Sequence, residues 1–372
     1  MEKINNTQLG AMIILFQIGS TTLFELGLEA RQDAWLVILL GCFLGSLLLA
    51  MFVAIQAREM ESNLFRIFLR YFGPWAGRAA IVLYVVFFAY ESMRNLRDFG
   101  DLTNLTVLPR TPLPLILLVL TLLVAYAALK GIEVFFRLAE FIVIGVISFY
   151  AVLIAFYLLS GIVAFERLLP ILENGASPVL KEVFRDALWF PFGQMFVFLV
   201  FWSYLQKSEG RAVWRISVRA YFVSAAVIWT MNVLALCTLG PDFIEISTIP
   251  LLQSTQLIQL AEIFERFDAL VFLLFYAGIF VKATVWLLAA VIGLEELFRK
   301  SYRWFVVPTA GALYAASLLP RSWQGHLETG KLVAERYMAT PIMLGAFPAM
   351  LLVVMVVRGW IERGRRRNAE EA

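Results

Sequence analysis

Gly19-Ser20-Thr21-Thr22 interrupts an apolar stretch running from about Leu9 to Leu28, and Phe190-Pro191-Phe192-Gly193 interrupts a second one, from about Leu188 to Leu205, near its start. In lipid every backbone N–H and C=O needs a partner, so an unwound stretch persists only where protein or a wet cavity surrounds it. Gly19 permits close approach, and Ser20, Thr21 and Thr22 offer hydroxyls where the helical ladder opens. Pro191 removes a donor, and Gly193 loosens the same turn. Taken singly, each break reads equally well as a kink or a packing contact. The two fall, however, in the first and sixth of ten apolar segments. Interrupted helices at matching places in two halves of a chain point to a substrate site near the bilayer midplane.

The rest of the chain agrees with a membrane setting. Of its 372 residues, 61% are hydrophobic and 16% are charged, which is too apolar and too weakly charged for a soluble domain. A net charge of +3 does not indicate nucleic acid as a partner. Cys42 and Cys237 both lie in apolar stretches, so no disulfide is expected, and the single histidine, His326, excludes the usual histidine metal site. No nucleotide loop, nucleophile elbow or pair of catalytic carboxylates is visible, so neither an enzyme nor a cofactor is expected. The first apolar segment is too long for a signal core and is expected to be retained as a helix.

Stretches able to cross about 30 Å of hydrocarbon occur at about 8–28, 34–56, 78–104, 112–129, 135–160, 183–205, 213–239, 268–295, 303–319 and 339–358. These are helices 1 to 10. Alternate connections, beginning with Lys3, carry 19 of the 31 Lys and Arg residues, against 11 on the other side. The positive-inside rule then puts both termini in the cytoplasm. The external connection at 240–267 is acidic (Asp242, Glu245, Glu262, Glu265), and Ile249 to Phe267 has an amphipathic pattern. That stretch is expected to lie on the outer face, either as a lid or as a cover over helices 7 and 8. The 160–182 connection has turn chemistry and room for a short helix. Arg363 to Arg367 reads as a topology anchor able to touch anionic lipid.

Two charges lie deep. Glu91 is about 12 residues into helix 3, about 18 Å along its axis, and Lys282 is about as deep in helix 8. Each costs on the order of 2.5–3.5 kcal/mol or more at such depth, so both are expected to face the interior, as an ion pair or around a shared wet pocket. A static interhelical bridge is the competing reading. Glu25 is a third candidate, with an interfacial position as its alternative. Arg137 and Glu140 read as an interfacial pair. Gly41 and Gly45 form a small-xxx-small pattern on helix 2, which packing against a neighbour explains. Tyr90, Trp189 and Phe192 are placed to cap a ligand, though core packing accounts for each.

Several of these stretches together resemble a known family. Ile4-Asn5-Asn6-Thr7-Gln8-Leu9 with Phe16-Gln17-Ile18-Gly19, Gln32-Asp33-Ala34-Trp35, Arg110-Thr111-Pro112-Leu113, and Tyr126 to Arg137 around Gly131-Ile132-Glu133 are similar to spore-germination permeases. So are Leu168 to Gly175 with Pro178-Val179-Leu180, Phe264-Glu265-Arg266-Phe267, and Gly293-Leu294. These permeases are the membrane B subunits of bacterial nutrient germinant receptors. The family resembles amino acid/polyamine/organocation transporters. The resemblance implies an all-α integral membrane protein of ten transmembrane helices, a 5+5 inverted repeat with helices 1 and 6 broken, as in the leucine-transporter-like fold. One domain of residues 1–372 would hold repeats at about 1–160 and 183–358, followed by a basic tail at 359–372.

The pocket implied by position comprises Gly19, Ser20 and Thr21 of helix 1, Glu91 of helix 3, Phe192 and Gly193 of helix 6, and Lys282 of helix 8. The expected function is nutrient sensing, of an amino acid, in the inner membrane of a bacterial spore. A germinant receptor A subunit and a lipoprotein C subunit are the implied partners, beside the bilayer itself. The alternative is a proton-coupled or exchange secondary transporter of amino acids.

Overall fold

The computed structural model describes residues 2–24, 26–206, 210–247, 249–258 and 267–370. Glu25, Lys207 and positions 259–266 of the expected surface helix therefore lie outside the described residues.

Helix 1 starts with a reciprocal cap: the Asn5 side chain accepts from the Gln8 backbone N–H at 2.8 Å, and the Gln8 side chain accepts from the Asn5 N–H at 2.9 Å. Two orphan donors are thereby satisfied. The helix runs Asn6–Ile18 and stops at Gly19, whose dihedrals (φ 17°, ψ −116°) are not helical. A single tight turn, Thr21–Leu23, follows, and a second short turn, Leu28–Asp33, leads into helix 2, Ala34–Gln56. Helix 6 is broken as well. It begins as Ser177–Glu182, widens over Val183–Ala187, and resumes as a tight 3-10 helix over Phe192–Val200 after Pro191. Both expected interruptions are present.

The remaining spans are helix 3 (Leu64–Thr106), helix 4 (Leu113–Lys130), helix 5 (Ile132–Ser160), helix 7 (Gly210–Leu239), helix 8 (Phe267–Phe298), helix 9 (Arg303–Ser317) and helix 10, continuous from Ala339 to Glu370. Among the described residues eight helices are long and apolar enough to cross a membrane unaided. Helices 1 and 9, with 13 and 15 residues, are the short ones. Helix 3 is longer than its hydropathy suggests, because it starts at Leu64 rather than near 78. It turns a corner at Gly73-Pro74, where Gly73 adopts φ 81° and a Cβ would meet nothing within 4 Å. The corner suits glycine, and Pro74 has no N–H to lose there.

Helices 1, 6 and 8 form the centre. Phe196 to Trp202 and Val285 to Ile292 are wholly enclosed, whereas Leu122, Phe141, Ile144 and Val353 on outer helices face outward. Helix 3 lies along helix 8 over its whole length, and helix 1 lies against helices 5 and 7. Lipid is as apolar as leucine, so close packing and interhelical hydrogen bonds supply the cohesion. Both are present. Ser92 donates to the Ala283 carbonyl at 2.8 Å, and Tyr84 to that of Met343 at 2.7 Å. A Cβ on Gly45 would sit 2.5 Å from Cβ of Phe192, and one on Gly41 3.0 Å from that of Ala187. The neighbour of the helix 2 glycine pattern is thus helix 6 itself.

The N-terminal end lies on the face that carries Arg66 and Arg303, and there Arg358 of helix 10 donates to the Arg70 carbonyl at 3.2 Å. Glu2 accepts from the Ile132 N–H at 2.7 Å and from Arg303 at 2.9 Å, while Arg66 meets Glu296 at 2.6 Å. Burial pushes the Tyr302 phenol up to about 12, so it keeps its proton at neutral pH and donates to Glu2 at 3.0 Å. Ile4 pairs with the end of helix 6 through two backbone hydrogen bonds, to the Tyr204 carbonyl and from the Gln206 N–H, both 3.0 Å. On the opposite face Asp33 accepts from the Leu172 N–H at 2.9 Å, and Gln32 donates to Glu173 at 2.9 Å. Two separated stretches of the family resemblance hold each other there.

Candidate functional site

The break in helix 1 sits directly against helix 8. A Cβ on Gly278 would lie 2.6 Å from the Gly19 carbonyl oxygen, and one on Gly19 would lie 3.1 Å from Cδ of Lys282. Only backbone fits at that crossing. Lys282 then extends past Gly19 into the gap between the two breaks. Its ammonium donates to Ser20 Oγ at 3.3 Å and sits 4.3 Å from the ring centre of Phe190 and 5.6 Å from that of Phe16. Lys282 is fully buried. Aromatic faces attract a cation by about 0.5–2 kcal/mol, which offsets only part of the several kcal/mol needed to remove it from water.

Glu91 is also buried and lies on the helix 3 wall. Gln194 of helix 6 approaches its carboxylate at 3.5 Å, and no ion pair joins it to Lys282 among the described residues. A direct Glu91–Lys282 bridge is therefore not formed among the described residues. Thr21 is buried and donates back to the Gln17 carbonyl at 2.6 Å, closing the end of helix 1. Thr22 bonds Tyr150 at 2.7 Å, and Asn232 accepts from the Leu26 N–H at 3.2 Å, so helices 5 and 7 hold the segment after the break.

At the helix 6 break, Phe192 packs into helices 2 and 7, its ring centre 5.4 Å from that of Tyr221. Gly193 N–H donates to the Leu188 carbonyl at 2.9 Å, and its open side faces Leu344 and Trp189. Phe190 is the ring that meets Lys282, and Gln194 is the side chain that meets Glu91. The structure therefore brings together Gly19, Ser20 and Lys282, sets Glu91 opposite, and turns Phe192 and Gly193 toward the surrounding helices.

Sequence reading missed a run of polar residues on helix 3. Beyond Glu91 come Arg94, Asn95, Arg97, Asp98 and Asp101, of which all but Arg94 are buried. Arg97 donates to Asp101 at 2.5 Å and to the Ser317 carbonyl at 3.0 Å. Asp98 meets His326 at 2.8 Å. The signal was present in the spacing: 91, 94, 98 and 101 recur at helical intervals and share one face. Around Glu91, Tyr90 OH, Arg94 Nε, Asn95 Oδ1 and Gln194 Oε1 are enclosed without a hydrogen-bond partner. Such groups cost free energy unless a water or ligand meets them.

His326 belongs to a short helix, Trp323–Lys331, between helices 9 and 10, on the face away from the termini. Trp323 stacks on Phe24 with ring centres 6.3 Å apart and planes within 11°, and Phe24 in turn meets Phe190 at 6.3 Å. The external connection holds, where described, the helices Pro241–Ile246 and Pro250–Gln256; the second falls in the stretch expected as a surface helix and is fastened to helix 5 by a 2.5 Å hydrogen bond between Ser254 and Tyr157.

Nearly the whole chain superposes on solved transporters. It matches MhsT, solved in complex with L-phenylalanine, with TM-score 0.67 at 14% identity, covering 97% of this chain and 91% of that one. The closed form of Mhp1, a nucleobase-cation-symport-1 family transporter with bromovinylhydantoin bound, matches with TM-score 0.70 at 13% identity, covering 94% and 78%. The architecture is thus the leucine-transporter-like fold, ten transmembrane helices with the first and sixth broken. In sequence, the chain is 30% identical to spore germination protein KB of Bacillus subtilis (strain 168), covering 100% of this chain and 99% of that protein. It is 24% identical to spore germination protein YndE of the same organism, over 98% of each. The sequence profile described as spore germination protein matches residues 3–324, and the chain belongs to that family of membrane permeases.

Proposed function

We propose that this chain is the nutrient-sensing B subunit of a spore germinant receptor, working in the spore inner membrane with both termini cytoplasmic and with A and C subunits as partners. Residues 1–160 and 183–358 would act as its two repeats, and no covalent chemistry is assigned to it. The ligand is a small zwitterion, an amino acid, held where the two broken helices meet. One observation carries this reading: Lys282 is buried at the helix 1 break and Glu91 is buried on the helix 3 wall, with opposite charges, and the two are not paired with each other among the described residues. A bound amino acid would bring a carboxylate to Lys282 and Ser20 and an ammonium to Glu91, relieving both isolated charges. Thr21 and Phe192 shape the two turns. The likeness to a transporter solved with L-phenylalanine supports an amino acid as the occupant.

Thermal stability of the purified chain against each common L-amino acid tests the reading, because a ligand of the folded state raises the midpoint, the more so the further its concentration exceeds its Kd. One or a few amino acids should stabilise the chain, and Glu91→Gln or Lys282→Met should remove that response. Unchanged responses in both variants would sink the proposed pocket. The rival reading, a secondary transporter, draws on the contact of Lys282 with the helix 1 break. It requires gradient-driven uptake of the same amino acid into liposomes containing this chain alone, whereas a sensor binds without sustained uptake.

A further inference from the structure

The helix Trp323–Lys331 touches two walls of the site, the segment after the helix 1 break and, at two points, helix 3. Trp323 stacks on Phe24, in the segment that follows the helix 1 break. His326 is buried and bonded to Asp98, seven residues beyond Glu91 on helix 3. Gly330 is pressed against the Arg94 guanidinium, so closely that a Cβ there would lie 2.5 Å from one of its nitrogens. Through Phe24 the same helix reaches Phe190, the ring over Lys282.

We infer that Trp323–Lys331 is the outer gate of the site: it closes the breaks off from the face opposite the termini and lifts as a unit to admit a ligand. The inference rests on the reading of the breaks as a binding site. Two features suit a part that moves. Among the described residues its side-chain contacts with the site are one stack, one hydrogen bond and one glycine approach, local enough to open below the global unfolding cost. Its end at Leu332–Arg336 is a widened helical turn, and Met338 beyond it has φ 48°, so backbone irregularity flanks the segment on the side of helix 10. The helix Pro250–Gln256 also touches the break, at Thr21–Leu23, but it is clamped to helices 5, 7 and 8 and so is not free to lift by itself.

The test needs no nutrient. Ser20→Cys serves as a buried reporter in the purified full chain, and a small anionic methanethiosulfonate is the probe. Modification is read peptide by peptide by mass spectrometry, with the buried Cys237 as an internal control for folding. Trp323→Ala and His326→Ala should each speed reporter modification by about tenfold, as expected when one buried contact that holds a local opening is lost. His326→Asn, which keeps a donor toward Asp98, should return the rate toward that of the parent. Asp98→Ala combined with His326→Ala should be no faster than either alone, since both remove one bond.

A reporter rate unchanged in Trp323→Ala and His326→Ala, with Cys237 still protected, overturns the gate. So does acceleration by Ser254→Ala without acceleration by Trp323→Ala, because the entrance then lies under the other surface helix. Variants in which Cys237 becomes reactive are unfolded, and hydrogen exchange of the Ile18–Phe24 peptide in Trp323→Phe then decides. Faster exchange there supports the gate, and parent-like exchange overturns it. Failure of this test leaves the thermal-shift response to amino acids intact, and loss of that response leaves the reporter rates intact, so the two readings fail separately.

Discussion

Lys282 shows what a single side chain costs and supplies in this fold. Its ammonium has one hydroxyl and two aromatic rings for company, which is less than full compensation for leaving water. Lys282→Met, of similar length and without charge, is expected to stabilise the empty chain by about 1–4 kcal/mol while abolishing the amino acid response. Thermal denaturation with and without ligand measures both halves, and a destabilised variant would remove the argument that the charge is kept for binding. Gly278 gives the opposite case. Gly278→Ala forces a methyl group to 2.6 Å from the Gly19 carbonyl oxygen, and overpacking of this kind costs about 1–3 kcal/mol. Gly145→Ala, where nothing lies within 4 Å, should leave the melting point within experimental error.

At the level of elements, the breaks were legible because glycine, proline and clustered hydroxyls are the residues that backbone irregularity requires. Which side chains the breaks would present was not legible. Successive residues in a helical turn point about 100° apart, so a tight turn places Phe190 over Lys282 and sends Phe192 into helices 2 and 7. The outer part of helix 3 fell within the expected span, but no role was read for its charges. Arg97, Asp98 and Asp101 have partners that are far away in sequence or on the same helix face, namely one another, His326 and the end of helix 9. The clasp between helix 2 and the 160–182 connection is testable at this scale. Asp33→Ala removes the acceptor for the Leu172 N–H, a loss of about 1 kcal/mol, and exchange of that amide should quicken by several-fold. Parent-like exchange would mean that the loop is held elsewhere.

For the molecule as a whole, composition and charge bias announced a membrane protein with its ends on one side, and the structure adds the contacts that gather those ends. Glu2, Arg303, Arg66 and Glu296 occupy one face, and Asp33, Asp98 and His326 the other. Reporter domains fused to each terminus, of a kind active only in the cytoplasm, should both be active if the basic connections face inward. One active and one silent fusion would contradict the assignment.

The pairing of Ile4 with Tyr204 and Gln206 has a mechanical side. Its two hydrogen bonds run between main-chain atoms only a few residues from the first described position. A pull on the N-terminal end is therefore delivered straight to the far end of helix 6, with helix 1 loaded on the same line. Any tag, partner or tether attached ahead of Ile4 acts as a handle on both broken helices at once.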